Sequence, residues 1–199
     1  DIAIHGMREN GPAEYGEGST LTAVAEALAA AHGVRTIRVL GDLTIGSDIA
    51  RVVETTTRQL GPIDILVHNA GGDIVAKGGK PDPNDAVGIR EQDVRAVLDR
   101  NLLSTILTCQ AVARGMMERR TGRIVTIAST TGPVNAMPGQ ASYAASKAAL
   151  VGLSRSLALE VVADGITVNV VAPGYVATGS QLGFEAEAAA RGPIGRSGT

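Results

Sequence analysis

Short apolar runs alternate with longer stretches of helical period along nearly the whole chain. Ile2-Ala3-Ile4 reads as a strand ending at Gly6, followed by a polar loop from Arg8 to Gly18 with Asn10-Gly11-Pro12 as turn chemistry. Ser19-Thr20 can cap a helix with apolar positions Leu21, Val24 and Leu28, which Gly33 stops just after His32. Val34 to Leu40 alternates as a second strand and ends at Gly41-Asp42. Ser47 can cap a helix with the stripe Ile49, Val52, Val53, Thr56 and Leu60, closed by Gly61. Ile63 to Val67 is a third strand and runs into His68-Asn69-Ala70-Gly71-Gly72.

The segment from Gly72 to Arg90 is rich in Gly, Pro and Asp, contains Lys77 and Lys80, and reads as a long loop. A long helix is predicted from about Glu91 to Arg120, then a strand from Arg123 to Ala128 that delivers Ser129. The next helix carries Tyr143 and Lys147 and continues through Leu150, Leu153, Leu157 and Val161. Strand Ile166 to Val171, the turn Pro173-Gly174 and a helix over Glu185 to Arg191 follow. Short Val- and Ile-rich strands separated by helices predict an α/β fold: a parallel sheet, doubly wound, with helices on both faces. Ligands bind such sheets at the carboxyl ends of the strands, where Asp42, Asn69 to Gly71, Ser129 and Pro173-Gly174 fall.

Composition narrows the function. The 199 residues are most simply one domain, with 44% apolar and 19% charged residues. A net charge of −2 and only 2% aromatics argue against a nucleic-acid or anionic-membrane surface. No apolar run reaches the roughly 18 residues of a membrane span, and no signal peptide opens the chain. The single Cys109 lies in a helical pattern and reads as a buried apolar residue, in keeping with a cytoplasmic protein. His5, His32 and His68 are scattered, so no metal site is predicted.

Against this background Tyr143 and Lys147 stand out. They are one of three tyrosines and one of three lysines, four positions apart, among Ala and Ser. On a helix that spacing places phenol and ammonium one turn apart on the same face. At roughly 6 Å and an effective dielectric near 20, the lysine charge favours phenolate by roughly 3 kcal/mol. A tyrosine so placed can exchange a proton near neutral pH, although an isolated pair of this kind is more often plain surface.

Taken with its surroundings, the pair resembles the Tyr-x-x-x-Lys motif of short-chain dehydrogenases/reductases. The resemblance extends to Asn69-Ala70-Gly71, to Ser129 fourteen residues before the tyrosine, and to Pro173-Gly174, and so covers essentially the whole chain. It implies a Rossmann-type fold and a hydride transfer between a nicotinamide cofactor and a carbonyl or secondary alcohol. Tyr143 would be the general acid/base and Ser129 would hydrogen-bond the same oxygen. Lys147 would lower the tyrosine pKa and hold the nicotinamide ribose. Asn101, a polar residue on the stripe Val94, Val97, Leu98, Leu102 and Thr105, would bend its helix and hold a water linked to the lysine. A buried asparagine satisfied by backbone groups is the plainer alternative. For the cofactor, the resemblance implies Asp42 and Leu43 at the adenine and Asn69, Ala70 and Gly71 along the ribose. Pro173, Gly174, Val176 and Thr178 would lie at the nicotinamide. An acidic residue is absent after the first strand, where Gly6-Met7-Arg8 stands, so NADP(H) is favoured over NAD(H), with Arg8 near the 2′-phosphate.

The departures from the family matter as much. An opening strand with a glycine-rich turn, and a last strand, are expected to be missing from these 199 residues, leaving a single dinucleotide-binding and catalytic domain incomplete at both ends. Without the opening strand, central in the order 3-2-1-4-5-6, the sheet would divide into two pieces. Gly72 to Arg90 is longer than usual and reads as a solvated insertion or an edge of the substrate site. His68 stands where an asparagine is common, a tolerable change. The leading expectation is an NADP(H)-dependent carbonyl reductase resembling 3-oxoacyl-thioester reductases. An NAD-dependent alcohol or sugar dehydrogenase with the same tetrad comes next, then a non-catalytic nucleotide-binding scaffold. Small and apolar residues on the last long helix, Ala148, Ala149, Gly152 and Ala158, suit a homotetramer or homodimer. The segment from Gly179 to Arg191 matches a substrate lid whose composition indicates no particular substrate.

Overall fold

The computed structural model describes residues 1–11, 19–75, 78–179, 181 and 183–199. The expected loop from Arg8 to Gly18 therefore lies outside the described residues beyond Gly11, as do Lys77 and the lid positions Ser180 and Leu182. Contacts cluster in two compact units. One comprises residues 1–42, 51–62 and 173–199; the other comprises residues 43–50 and 63–172.

In the first unit β1 (Ile2–Gly6) pairs in parallel with β2 (Thr36–Leu40), Ile2 opposite Thr36 and Gly6 opposite Leu40. Helix α1 (Leu21–His32) joins them. Thr20 caps it as expected, its hydroxyl accepting from the Ala23 N–H at 3.0 Å, and Gly33 closes it. His5 reaches from β1 to the Gly41 carbonyl at 2.8 Å, and burial lowers its pKa despite that bond and the nearby Asp42. Helix α2 (Gly46–Leu60) begins one residue before Ser47, which sits inside the helix rather than capping it. The turn at Gly46 already takes helical geometry, so the start shifts by one position.

The second unit holds β3 (Ile65–His68), β4 (Gly122–Ile127) and β5 (Ile166–Val171), parallel and in the order β3-β4-β5. Leu66, Ile124 and Val168 share one register line, and His68, Thr126 and Val170 the next. The long helix after residue 90 is α3 (Glu91–Leu98), a π-helical turn (Asp99–Leu103) and α4 (Ser104–Arg119). Helix α5 (Ala141–Val161) is the second long helix, and α6 (Gly183–Ala190), in the first unit, is the last. Helices α4 and α5 pack on the sheet and on each other. Val97, Met116, Ile124, Leu150 and Ile166, all at most 2% exposed, fill the core beneath them. Thr126 and Ser154 hydrogen-bond across the β4–α5 contact at 2.9 Å, which satisfies two hydroxyls inside that core.

The parallel strands form two sheets among the described residues, the division expected without the opening strand, and no described strand pairs with the second edge of β1 or β3. One expectation is corrected: helices do not cover both faces of the three-stranded sheet, for Ile124 and Thr126 are buried, while Ile65 and Val67 on the opposite face are 65% and 59% exposed. Helices and parallel strands of the expected α/β class are present all the same. Cys109 is 1% exposed and burial pushes its thiol up to about 11, so it is the buried apolar residue expected of it.

Candidate active site

The carboxyl end of β4 organises the second unit. Two residues past it, Ser129 accepts a hydrogen bond from the Thr131 N–H at 3.1 Å and is half-buried. Three residues further, Gly132 lets the chain cross α5 at close range. A Cβ there would stand 2.2 Å from the Ala144 carbonyl oxygen and 3.1 Å from the Ala148 nitrogen, on a backbone with φ +107°. Only glycine fits both the space and the dihedral. The segment that starts with Ser129 is thereby laid against the helical turn that runs from Tyr143 to Lys147.

Lys147 links that turn back to β4. Its Nζ donates to the Ile127 carbonyl at 2.8 Å and lies 5.6 Å from the centre of the Tyr143 ring. That distance is the one-turn separation expected of the pair, short enough for the cation to sense the ring. The lysine is 4% exposed whereas Tyr143 is half-buried, so the lysine is the more deeply enclosed member of the pair. Burial lowers the Lys147 pKa from 10.5 to about 8, which leaves it mostly charged at neutral pH.

Asn101 sits in the middle of the π-helical turn and is wholly buried. Its side chain satisfies backbone groups that the irregular ladder and a glycine turn would otherwise strand. Nδ2 donates to Val97 O at 2.8 Å and to Gly72 O at 2.9 Å, and Oδ1 accepts from Gly72 N at 2.9 Å. The local bend expected at Asn101 is this π-turn, a common device at functional sites. All three of these bonds go to backbone, the plainer of the two roles weighed for this asparagine. Gly71 lies against the same group: a Cβ would stand 2.5 Å from Asn101 Oδ1 and 3.4 Å from Lys147 Nζ, with φ +154°. Gly71, Asn101 and Lys147 thus meet at one point. Asn69 and Ala70 precede them in the turn, Asn69 exposed and Ala70 half-buried.

The other positions expected at a cofactor are strand-end residues. Leu43 is buried. In the first unit Asp42 is half-buried and Arg8 exposed, with Pro173 half-buried and Gly174, Val176 and Thr178 exposed after β5. Val176 pairs with Gly198 in a short parallel bridge.

Sequence reasoning missed three contributors. Gly132 was signalled by the Gly132-Pro133 dipeptide three residues after Ser129. Thr105, wholly buried, read only as one more position on the stripe of Asn101, although its hydroxyl donates to the Asn101 carbonyl at 2.6 Å. Asp73 belongs to the long loop, yet it is 9% exposed and accepts from Asn84 Nδ2 at 2.7 Å. Burial raises its pKa, against the Asn84 bond and the Lys80 charge, so this end of the loop is not the solvated insertion that its composition suggested. Further along, Asp85 ties the loop to itself by accepting from the Val87 and Gly88 N–H groups.

Comparison with known proteins places the chain in a family. The profile of the family described as short chain dehydrogenase matches residues 15–188. A 3-oxoacyl-(acyl-carrier-protein) reductase of Salmonella typhimurium is 41% identical over 137 residues, 69% of this chain and 52% of that protein. The enzyme of the same name from Synechocystis sp. is 33% identical over 175 residues, 87% of this chain and 66% of its own length. A cyclohexanol dehydrogenase of Rhodococcus sp. is 37% identical over 174 residues, 84% of this chain and 63% of that protein. The chain thus spans about half to two thirds of the length of these curated relatives. Since the family profile covers most of its residues, the chain belongs to the short chain dehydrogenase family.

Proposed function

We propose that the chain is the catalytic part of an oxidoreductase that moves a hydride between NADP(H) and a carbonyl or secondary-alcohol substrate. The observation that carries this reading is the Lys147 ammonium, held by Ile127 O, 5.6 Å from the Tyr143 ring, and beside the backbone of Gly71. The residues fit a nicotinamide nucleotide. Lys147 has three N–H donors, of which Ile127 O takes one, and Gly71 leaves open the space beside Nζ that a Cβ would fill. Nucleotide ribose hydroxyls suit those donors.

The cofactor supplies the hydride; the protein supplies the proton and the polarisation. In reduction Tyr143 gives its phenolic proton to the carbonyl oxygen, which Ser129 steadies with a hydrogen bond. The Lys147 charge favours the phenolate left behind, and in the reverse direction that phenolate removes the alcohol proton. Asn101 holds the π-turn and Gly72 in place, and a water between it and Lys147 would complete the proton path. Asp42 and Leu43 serve the adenine, Asn69 to Gly71 the ribose, and Pro173, Gly174, Val176 and Thr178 the nicotinamide. The 199 residues are read as one dinucleotide-binding and catalytic domain of a cytoplasmic protein that pairs through α4 and α5 into a dimer or tetramer. Exposed Leu103 at the end of the π-turn and Met117 on α4, and Ala148, Gly152 and Leu159 on α5, support that pairing.

The reductases of Salmonella and Synechocystis favour a 3-oxoacyl thioester as substrate, and the Rhodococcus relative favours a cyclic secondary alcohol as the second reading. Absorbance at the reduced-nicotinamide band, followed with NADPH and NADH against 3-oxoacyl thioesters and with NADP and NAD against cyclohexanol, separates the two. Turnover of neither class with either cofactor overturns the proposal.

A further inference from the structure

The turn Asn69 to Gly71 is fastened at both ends to residues four apart on one helical stretch. At the far end Gly72 exchanges two hydrogen bonds with the Asn101 side chain. At the near end His68 Nδ1 lies 3.2 Å from Thr105 Oγ1. His68 is 3% exposed and Thr105 is 0% exposed, so water does not compete for this contact. Thr105 Oγ1 also stands 2.6 Å from the Asn101 carbonyl, which can only accept. A hydroxyl has one proton. With that proton committed to Asn101 O, Thr105 Oγ1 accepts from the imidazole, and the proton on His68 belongs to Nδ1.

We propose that His68 is a positioning residue: as its Nδ1–H tautomer it locks the near end of the Asn69–Gly71 turn, through Thr105, to the carbonyl of Asn101. The lock rests on the reading of that turn as a cofactor contact, and it gives the His68 position a stated task. The amide nitrogen of an asparagine sits as far along its side chain as the imidazole Nδ1 does, so asparagine at 68 makes the same donation. An alanine cannot. Held at both ends, the turn presents its backbone to the nucleotide without the loss of freedom that a loose turn suffers on binding.

Two measurements on the whole chain test this. Imidazole ¹⁵N chemical shifts in the unsubstituted protein are expected to show His68 as the Nδ1–H tautomer, a restriction that Thr105→Val removes. The signal is identified by its loss in His68→Asn. NADPH titrations, followed by nucleotide fluorescence, are expected to show about ten-fold weaker binding for His68→Ala and for Thr105→Val. The double variant binds no more weakly than either single one, and His68→Asn stays within about two-fold of the unsubstituted chain. With saturating cofactor, kcat changes less than KM for NADPH. An Nε2–H tautomer, additive losses, or unchanged NADPH affinity in His68→Ala would each overturn the lock. If the unsubstituted chain binds no NADPH, the cofactor reading fails instead, and the tautomer alone decides the lock. Because the tautomer is read without changing a buried residue, it holds even if His68→Ala does not fold.

Discussion

The centre around Tyr143 in the second unit and the strand-end segments of the first unit are built differently. Around Tyr143 and Lys147, contacts from other elements hold the site: Ile127 O on Lys147, Gly72 on Asn101, and the helix backbone against Gly132. After β1 and β5, by contrast, Arg8, Gly174, Val176 and Thr178 stand exposed on connecting segments. Chemistry needs its groups placed within a fraction of an ångström, and a cradle of buried contacts supplies that. Exposed strand-end positions have water on one side and less buried packing to fix them. Substitutions that break one of those buried contacts are therefore expected to change stability, loss of the phenolic oxygen to change rate, and substitutions in the second region to change cofactor preference alone.

The sharpest test of the contrast is Tyr143→Phe. The phenolic oxygen is the proposed proton donor, whereas the ring is only half-buried and keeps its packing in the variant. We expect kcat to fall by about 10²–10⁴-fold with an unchanged unfolding midpoint. Steady-state rates together with urea denaturation check this, and a fall in stability without a fall in rate would reverse the assignment.

Gly132→Ala comes next. A methyl group 2.2 Å from Ala144 O cannot be accommodated, so the segment after Ser129 must leave the helix. The expected cost is about 2–3 kcal/mol of stability, with lower activity because Ser129 moves as well. Denaturant midpoints measure the first effect and kcat the second. Gly174→Ala, at an open position with nothing within 4 Å, should cost far less.

Lys147→Met divides rate from stability. Burial lowers the lysine pKa from 10.5 to about 8, so between those values the folded chain binds fewer protons than the unfolded one. The contribution of this residue to stability is least below pH 8 and recovers as pH rises toward 10.5. Methionine keeps the volume without the charge, and loses the bond to Ile127 O. The variant should be inactive and yet about 1–2 kcal/mol more stable at pH 7, a gain that shrinks by pH 10. Urea midpoints at the two pH values decide the sign. A variant less stable at pH 7 would mean that the bond to Ile127 outweighs the burial of the charge.

The same contrast explains what could be read from sequence. Strand and helix order followed from apolar period, Tyr143 and Lys147 from spacing, and Ser129 from its place at a strand end, because those signals are local in the chain. Asn101 stood out as a polar residue on an apolar stripe, but its partners Gly72 and Val97 depend on how the chain folds back. Gly132, Thr105 and Asp73 matter through neighbours 12, 37 and 11 residues away, at Ala144, His68 and Asn84. Composition and period carry no record of such pairs. The division into two sheets followed from a rule of strand order rather than from any residue, and the exposed face of Ile65 and Val67 was not legible at all: alternate apolar residues look alike whether or not a helix covers them.

The mildest prediction lies in the exposed region. Beyond β1 the residues Gly6, Met7 and Arg8 include no acid to repel a 2′-phosphate, and Arg8 is the nearby cation of the three. Its side chain is exposed, and solvent screens an exposed charge pair to roughly 1 kcal/mol or less. If Arg8 meets the 2′-phosphate as proposed, Arg8→Ala is expected to lower the NADPH-to-NADH ratio of kcat/KM only a few-fold, through KM, with kcat unchanged. The effect should fade as salt is raised, since an exposed ion pair is screened within a Debye length. A ratio of the two cofactors' kcat/KM values at low and high salt measures it. A change that persists at high salt would instead place Arg8 in a shielded pocket, and the comparison between a buried centre and exposed strand ends would have to be redrawn at that residue.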